Sequence, residues 1–300
     1  MPIIDAAERE FFEENGYVKL EGVVPEDHCE AVIDAIWDHL GHDRDDPDTW
    51  YEPPEGLDEP FSAAGMIELY HHPAMWNVRQ HPTVYQAFAE LLGDEHLWTS
   101  IDRVNMTPPR REEHPELDAS FVHWDVDTSD LPEIEVQSGG TPQVPYGVQG
   151  VVYLDDTTET QGGFCCVPSL YAELEEWVED QPEDRDPFSP DLEGYEVEAI
   201  PGGQGDLLIW DRLLTHGNGS NEADEPRYAQ YVLMYPERFA DRESRETRVR
   251  SFREREAPSG DAFPGDPRGW EKDNPPAELT SLGEKLLGAA PWPGWLEAKR

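Results

Sequence analysis

The chain has 300 residues, of which 66 are acidic and 22 basic, for a formal net charge of −44; apolar residues make up 37%. A surface this acidic repels nucleic acid and anionic membranes, which excludes functions that neutralise phosphates with Lys and Arg. Ten Trp, eleven Tyr and ten Phe argue against an acidic disordered chain; the expectation is a folded, halophilic protein, in which molar salt screens the repulsion among carboxylates.

The length allows one large domain or two small ones. There is no internal repeat and no linker long enough to separate two units. A single domain over 1–300 is expected, with residues 1–96 as mostly helical support, 97–235 as the core, and 236–300 as a C-terminal tail and helix. The three cysteines, Cys29, Cys165 and Cys166, form no CxxC. That count argues against a disulfide framework or a zinc–thiolate site and suits a reducing compartment. Met1-Pro2-Ile3-Ile4-Asp5 has neither a basic region nor a long apolar run. No segment reaches the roughly 18 apolar residues of a membrane span, so a soluble cytoplasmic protein is expected.

In chain order, residues 5–15 predict a short amphipathic helix capped by Asp5 and ended by Gly16. Tyr17–Leu20 alternates like a strand. Pro25 opens a helix in which Ala31, Ile33, Ala35, Ile36 and Leu40 have helical spacing. Residues 41–60 read as an acidic loop and 62–70 as a third helical region. Pro73 starts another helical piece, with His71-His72 at a helix end. A helix runs from Pro82 to Leu92 and is closed by Gly93. From Leu97 the pattern changes to short strands: Leu97–Met106, Phe121–Val126, Val148–Leu154, Phe164–Val167, Tyr195–Ile200, Asp206–Trp210 and Tyr228–Tyr235. Between them lie a polar loop over 108–119, a Gly- and Pro-rich loop over 138–147, a helix over 171–178, and an acidic surface excursion to about 192. Strands at this spacing predict a sandwich or barrel. Residues 237–256 read as a solvated Arg/Glu-rich face. Glu278–Leu287 reads as a short helix docked by Trp292 and Trp295.

The candidate chemistry lies in Phe121-Val122-His123-Trp124-Asp125. On a strand, His123 and Asp125 leave the same face. An imidazole beside a carboxylate supplies two legs of a 2-His-1-carboxylate triad, the ligand set of non-haem Fe(II) oxygenases. His216, after the apolar run Gly205–Asp211, offers the third leg. Arg227 follows eleven residues later at the start of the last strand. Each residue also has a plain structural reading: packed strand histidines, a capping Asp125, an Arg227 paired with surface acid. Trp124 and Trp210 are equally readable as core or as pocket wall, and Cys165-Cys166 as a packed, reduced pair.

At these blocks the sequence resembles the phytanoyl-CoA dioxygenase family. The resemblance runs over His123-Trp124-Asp125, Gly150–Asp156 with Gly162-Gly163 and Val167-Pro168-Ser169, and Gly205–Trp210 through His216, Asn221 and Arg227. It implies a mainly β fold: a double-stranded β-helix (a cupin-like jelly roll) with flanking helices and an N-terminal helical region. It also implies Fe(II) held by His123, Asp125 and His216, and 2-oxoglutarate and O2 as co-substrates. Arg227 would meet the distal carboxylate, for which a planar guanidinium fork is suited. The implied reaction hydroxylates a small organic substrate and releases succinate and CO2. Asp125 disfavours halogenation, which needs that ligand position open. Three departures touch the co-substrate region. Thr107 stands where relatives have Lys, Asn218 where Ser is usual, and Pro168-Ser169-Leu170-Tyr171 where Pro-Gly-Ser-His is common. Thr107 and Asn218 are therefore counted as candidate co-substrate contacts beside Arg227. The competing expectations are an inactive jelly-roll binder and a cupin-like metalloenzyme that does not use 2-oxoglutarate. Arg227 discriminates among them, because its role requires a dicarboxylate.

Overall fold

The computed structural model describes residues 2–53, 65–118, 120–129, 147–182, 184–258, 266 and 269–293. Apart from 62–70, the N-terminal region is helical where the sequence predicts it. Helix α1 (Ala6–Asn15) begins at Asp5, whose carboxylate accepts from the Ala7 and Glu8 amides at 2.8 and 2.9 Å, while Glu8 accepts from the Asp5 amide. This reciprocal capping box satisfies amides that the first helical turn leaves open. Gly16, at φ 76°, ends the helix in a left-handed turn and delivers the chain into strand β1 (Tyr17–Leu20). Helix α2 (Glu26–Leu40) buries Val32, Ile33, Ile36 and Leu40 along one stripe. Strand β2 (Met66–Ile67) comes next, then helices α3 (Pro73–Arg79) and α4 (Pro82–Leu92), each opened by a proline.

The remaining elements are β3 (Leu97–Thr99), β4 (Val104–Thr107), β5 (Phe121–His123), β6 (Val148–Tyr153), β7 (Phe164–Cys166), α5 (Pro168–Ala172), α6 (Leu174–Asp180), β8 (Glu198–Ala199), β9 (Leu207–Asp211), β10 (His216–Asn218), β11 (Arg227–Val232), β12 (Met234–Pro236), α7 (Arg242–Glu254) and α8 (Ser281–Leu287). They form an open six-stranded sheet of order β1-β9-β6-β11-β4-β2, a three-stranded sheet β10-β7-β8, and the pair β12-β3.

This architecture corrects the expectation of a mainly β, double-stranded β-helix. Helix accounts for 35% of the structure against 19% strand, and no sheet closes into a barrel. Several apolar runs that suggested long strands are broken. The run 97–106 splits into β3 and β4, and only Glu198–Ala199 pairs within 195–200. Residues 168–180 form two helices, not one over 171–178, and the Arg/Glu-rich 242–254 forms a full helix. Within the expected helical region 62–70, the described part is β2, because Met66 and Ile67 find partners in Asn105 and Val104 of β4. The 237–256 run is not wholly a solvated face, since Arg248 turns inward to Tyr235 and to the Thr99 carbonyl. His71 is buried and His72 caps α3 at its start, accepting from the Ala74 amide. Trp292 is buried and donates to the Leu97 carbonyl. The expected loop over 138–146, the residues 54–64 and Trp295 lie outside the described residues.

The large sheet has two different faces, and register decides which residue is on which. Tyr17 pairs with Trp210, Trp210 with Gln149, Val151 with Tyr231, and Arg227 with Thr107. Opposed residues share a face. One face therefore carries Trp210, Leu208, Gln149, Val151, Tyr231 and Arg227. The other carries Ile209, Val152, Val232 and Val104, and packs on α2, α3 and α4 in the main core. Gly150 fits under α4 because the ring of Phe88 stands where a β-carbon would be. The first face is covered by β10-β7-β8, through Phe164, Cys166 and Leu214. The site lies between these two sheets. Among the described residues no helix is long and apolar enough to cross a membrane.

Candidate metal centre

His123, Asp125 and His216 converge, their ligand atoms all lying within 4.8 Å of one another. His123 is the last residue of β5. Asp125 lies beyond the strand, so the two ligands do not share a strand face as expected; a bend brings the carboxylate round. Three bonds hold that bend. The Trp124 amide donates to the Phe188 carbonyl at 2.9 Å. The Trp124 indole donates to the Leu213 carbonyl at 2.9 Å. The Thr128 hydroxyl donates to the Pro187 carbonyl at 2.6 Å. Trp124 is thus a core residue, packed on Trp177. Its bond to Leu213 ties the first two ligands to the turn that carries the third.

His216 opens β10 and is nearly buried, with its ring on Trp210 and Phe164. Its Nδ1 lies 2.8 Å from the Leu214 carbonyl, which can only accept. Nδ1 therefore carries the proton, and Nε2 presents its lone pair to the site. That lone pair lies 3.4 Å from Asp125 Oδ2, and His123 Nε2 lies 3.2 Å from Asp125 Oδ1. Separations this short among two imidazoles and a carboxylate suit a cation held by all three groups. Two adjacent ligands on an ion with bonds of about 2.1 Å are about 3 Å apart, which matches both separations. Partial burial acts to raise the Asp125 carboxyl. The imidazoles of His123 and His216 that face it, with the hydrogen bond from Gln149, outweigh that and hold the group well below the usual carboxylate range. Asp125 is therefore anionic and ready to ligate. The donor set fits iron(II): two neutral imidazoles and one carboxylate are borderline-to-hard donors suited to it.

Arg227 lies deeper between the sheets, 2% exposed. Its Nε donates to the Gly162 carbonyl at 3.0 Å and one terminal nitrogen donates to Asn218 Oδ1 at 2.6 Å. Asn218 and His216 are two apart on β10 and so leave the same face. The side chains of Arg227, Asn218, Tyr231, Val151 and Phe164 line a narrow cavity. Thr107 sits opposite Arg227 on β4, but its hydroxyl donates to Asn105 Oδ1 and it lines a separate groove toward Arg110. Asn221, in the matched block, donates to the Thr107 and Glu225 carbonyls and shapes the turn before β11.

Two site residues were not singled out in the sequence. Gln149 donates to Asp125 Oδ2 at 2.6 Å. Tyr231 receives a hydrogen bond from Asn218 at 3.4 Å and lines the cavity. Gln149 had a signal: it is the one polar side chain within the apolar run Val148–Leu154. Tyr231 had none, because aromatic residues are common in strands.

Residues 12–229 match the family model described as phytanoyl-CoA dioxygenase (PhyH). A Dictyostelium discoideum protein carrying the phytanoyl-CoA dioxygenase name is 25% identical over 266 residues, covering 76% of this chain and 74% of the relative. In fold, the chain is similar to the hypothetical protein JW0805 of Escherichia coli, with a TM-score of 0.68 at 16% identity over 95% of this chain and 82% of the other. It is also similar to the epimerase SnoN, solved with Fe3+, alpha-ketoglutarate and nogalamycin RO. There the TM-score is 0.50 at 16% identity, over 77% and 82% of the two chains. With the family matched across most of the chain and the metal-binding triad assembled, the protein belongs to the phytanoyl-CoA dioxygenase family and is a non-haem iron, 2-oxoglutarate-dependent oxygenase.

Proposed function

We propose that the enzyme hydroxylates a small, uncharged or weakly charged organic molecule, with His123, Asp125 and His216 as iron ligands and Arg227 as the anchor for 2-oxoglutarate. The observation that carries this reading is the spacing between Arg227 and the triad, set by β10. Asn218, which holds Arg227, is two strand residues from His216, about 7 Å along the strand. That is the scale of a five-carbon dicarboxylate. The distal carboxylate would meet Arg227 and the Tyr231 hydroxyl, and the oxoacid end would reach the metal. Iron with its co-substrate and O2 supplies the oxidising chemistry. The chain's own residues bind, orient and exclude water: Trp210 and Phe164 wall the His216 ring, and Asn218 and Gly162 fix the guanidinium before the carboxylate arrives.

A polyanionic thioester is disfavoured by the state of the nearby arginines. Arg103 pairs with Asp102, Arg110 with Asp118 and Glu222, and Arg111 with Asp48. These cations are neutralised by the protein's own acids and add no net attraction for a CoA moiety. A small-molecule substrate is in keeping with SnoN, similar in fold, which was solved with nogalamycin RO. The net charge of −44 supports a high-salt setting, and three free, buried cysteines support a reducing, cytoplasmic one.

The test is anaerobic titration of Fe(II) and then 2-oxoglutarate into apo protein in molar KCl, followed by the weak visible charge-transfer band of the chelate. The expected band is lost in His216→Ala. Iron binding without a band would remove 2-oxoglutarate from the assignment.

A further inference from the structure

We infer that Gln149 is a positioning residue that fixes the orientation of the Asp125 carboxylate at the metal centre. The inference rests on the metal-centre reading above. Asp125 lies past the end of β5, so no strand ladder fixes its carboxylate. Gln149 comes from the opposite wall, on β6, with its side chain on the site-facing side of the sheet beside Trp210. Its Nε2 donates to Asp125 Oδ2 at 2.6 Å. Asp125 Oδ1 stays on the His123 side, 3.2 Å from its Nε2.

The amide can be placed in only one way. A carboxylate accepts and does not donate, so Nε2 must face Asp125 and Oε1 must point away. Among the described residues Gln149 Oε1 is buried and has no hydrogen-bond partner. The side-chain hydrogen bond of the amide is the one to Asp125, which marks the Nε2–Oδ2 bond as the reason for an amide in this apolar strand. The bond fixes the carboxylate plane, so that Oδ1 faces His123 Nε2 at 3.2 Å and Oδ2 faces His216 Nε2 at 3.4 Å. Partners of metal ligands that fix orientation in this way are worth roughly 10- to 100-fold in metal affinity.

Gln149→Met keeps the length and volume but cannot donate. Gln149→Asn keeps the amide but is one methylene short. Co(II) is titrated anaerobically into wild type and both variants, reading affinity and the ligand-field spectrum, with thermal melts of the apo proteins as the folding control. The expected result is roughly 10- to 100-fold weaker Co(II) binding and a changed ligand-field spectrum in both variants, at unchanged apo melting temperature. Wild-type affinity and spectrum in the variants would overturn the inference and leave the triad standing. Failure of wild type itself to bind Co(II) would overturn the triad and this inference together.

Discussion

Replacing Arg227 should separate co-substrate binding from metal binding. The guanidinium is 2% exposed and already committed to Gly162 and Asn218, so it is held rigidly before any ligand arrives. A carboxylate meeting it there gains charge-assisted hydrogen bonds worth about 1.5–3 kcal/mol each. Losing one partner of a buried charge pair costs about 3–5 kcal/mol. At about 1.4 kcal/mol per decade, Arg227→Ala should weaken 2-oxoglutarate by roughly two to three and a half decades. Arg227→Lys keeps the charge but loses the fork, and should fall between, near tenfold. Neither change touches His123, Asp125 or His216, so Mn(II) or Fe(II) affinity should stay within about threefold, a shift of under 1 kcal/mol. The assay is anaerobic calorimetry: metal into apo protein, then 2-oxoglutarate into the metal-loaded form. Wild-type 2-oxoglutarate affinity in Arg227→Ala would refute the placement of the co-substrate. Parallel loss of metal affinity would show that the Arg227 position and the triad are not separable.

Three further outcomes follow from the packing. Gly217→Ala should cost about 1–3 kcal/mol and weaken metal binding, because the added β-carbon would meet the Phe121 carbonyl oxygen at 1.8 Å and force β10 from β5; a urea melt and a Co(II) titration check both. Trp124→Phe should cost about 0.5–1.5 kcal/mol by removing the indole donor to the half-buried Leu213 carbonyl, and an unchanged urea midpoint would contradict the stitching of the ligand loops. Glu271 is fully buried, accepts from the Tyr70 and His71 amides, and is raised by burial from 4.5 to about 7. Its folded state therefore holds the proton more tightly than the unfolded one, so its contribution is fully present below pH 4.5 and lost as pH rises through about 7. Glu271→Gln should flatten the fall in melting temperature between pH 5 and 8. It should also lower stability at pH 5, since an amide nitrogen cannot accept from the second backbone N–H.

Part of the site was legible because its chemistry is written in residue type and order. His123, Asp125 and His216 are a ligand set whichever way the chain bends, and the structure brings all three together. Arg227 was visible as a cation opening an apolar strand. Gln149 was harder to see, because its role depends on which face of β6 it occupies, and a shift of one residue in register would have put it in the core. The supporting role of Asn218 was hidden for the same reason. Its proximity to Arg227 is set by the packing of β10 against the large sheet.

The sequence by itself determined the helix starts and stops, from Asp5 and Gly16 to Pro82 and Gly93, because capping and proline effects are local. It also determined the acidic surface and the identity of the ligands. The tertiary structure decided how the strands associate. Short apolar runs do not state their partners, and the same runs that suggested a closed barrel assemble as an open six-stranded sheet and two small ones. It also decided that Asp125 turns in beyond its strand, held by Trp124, Phe188 and Leu213. Those contacts join segments some 60 to 90 residues apart, and no local pattern specifies them.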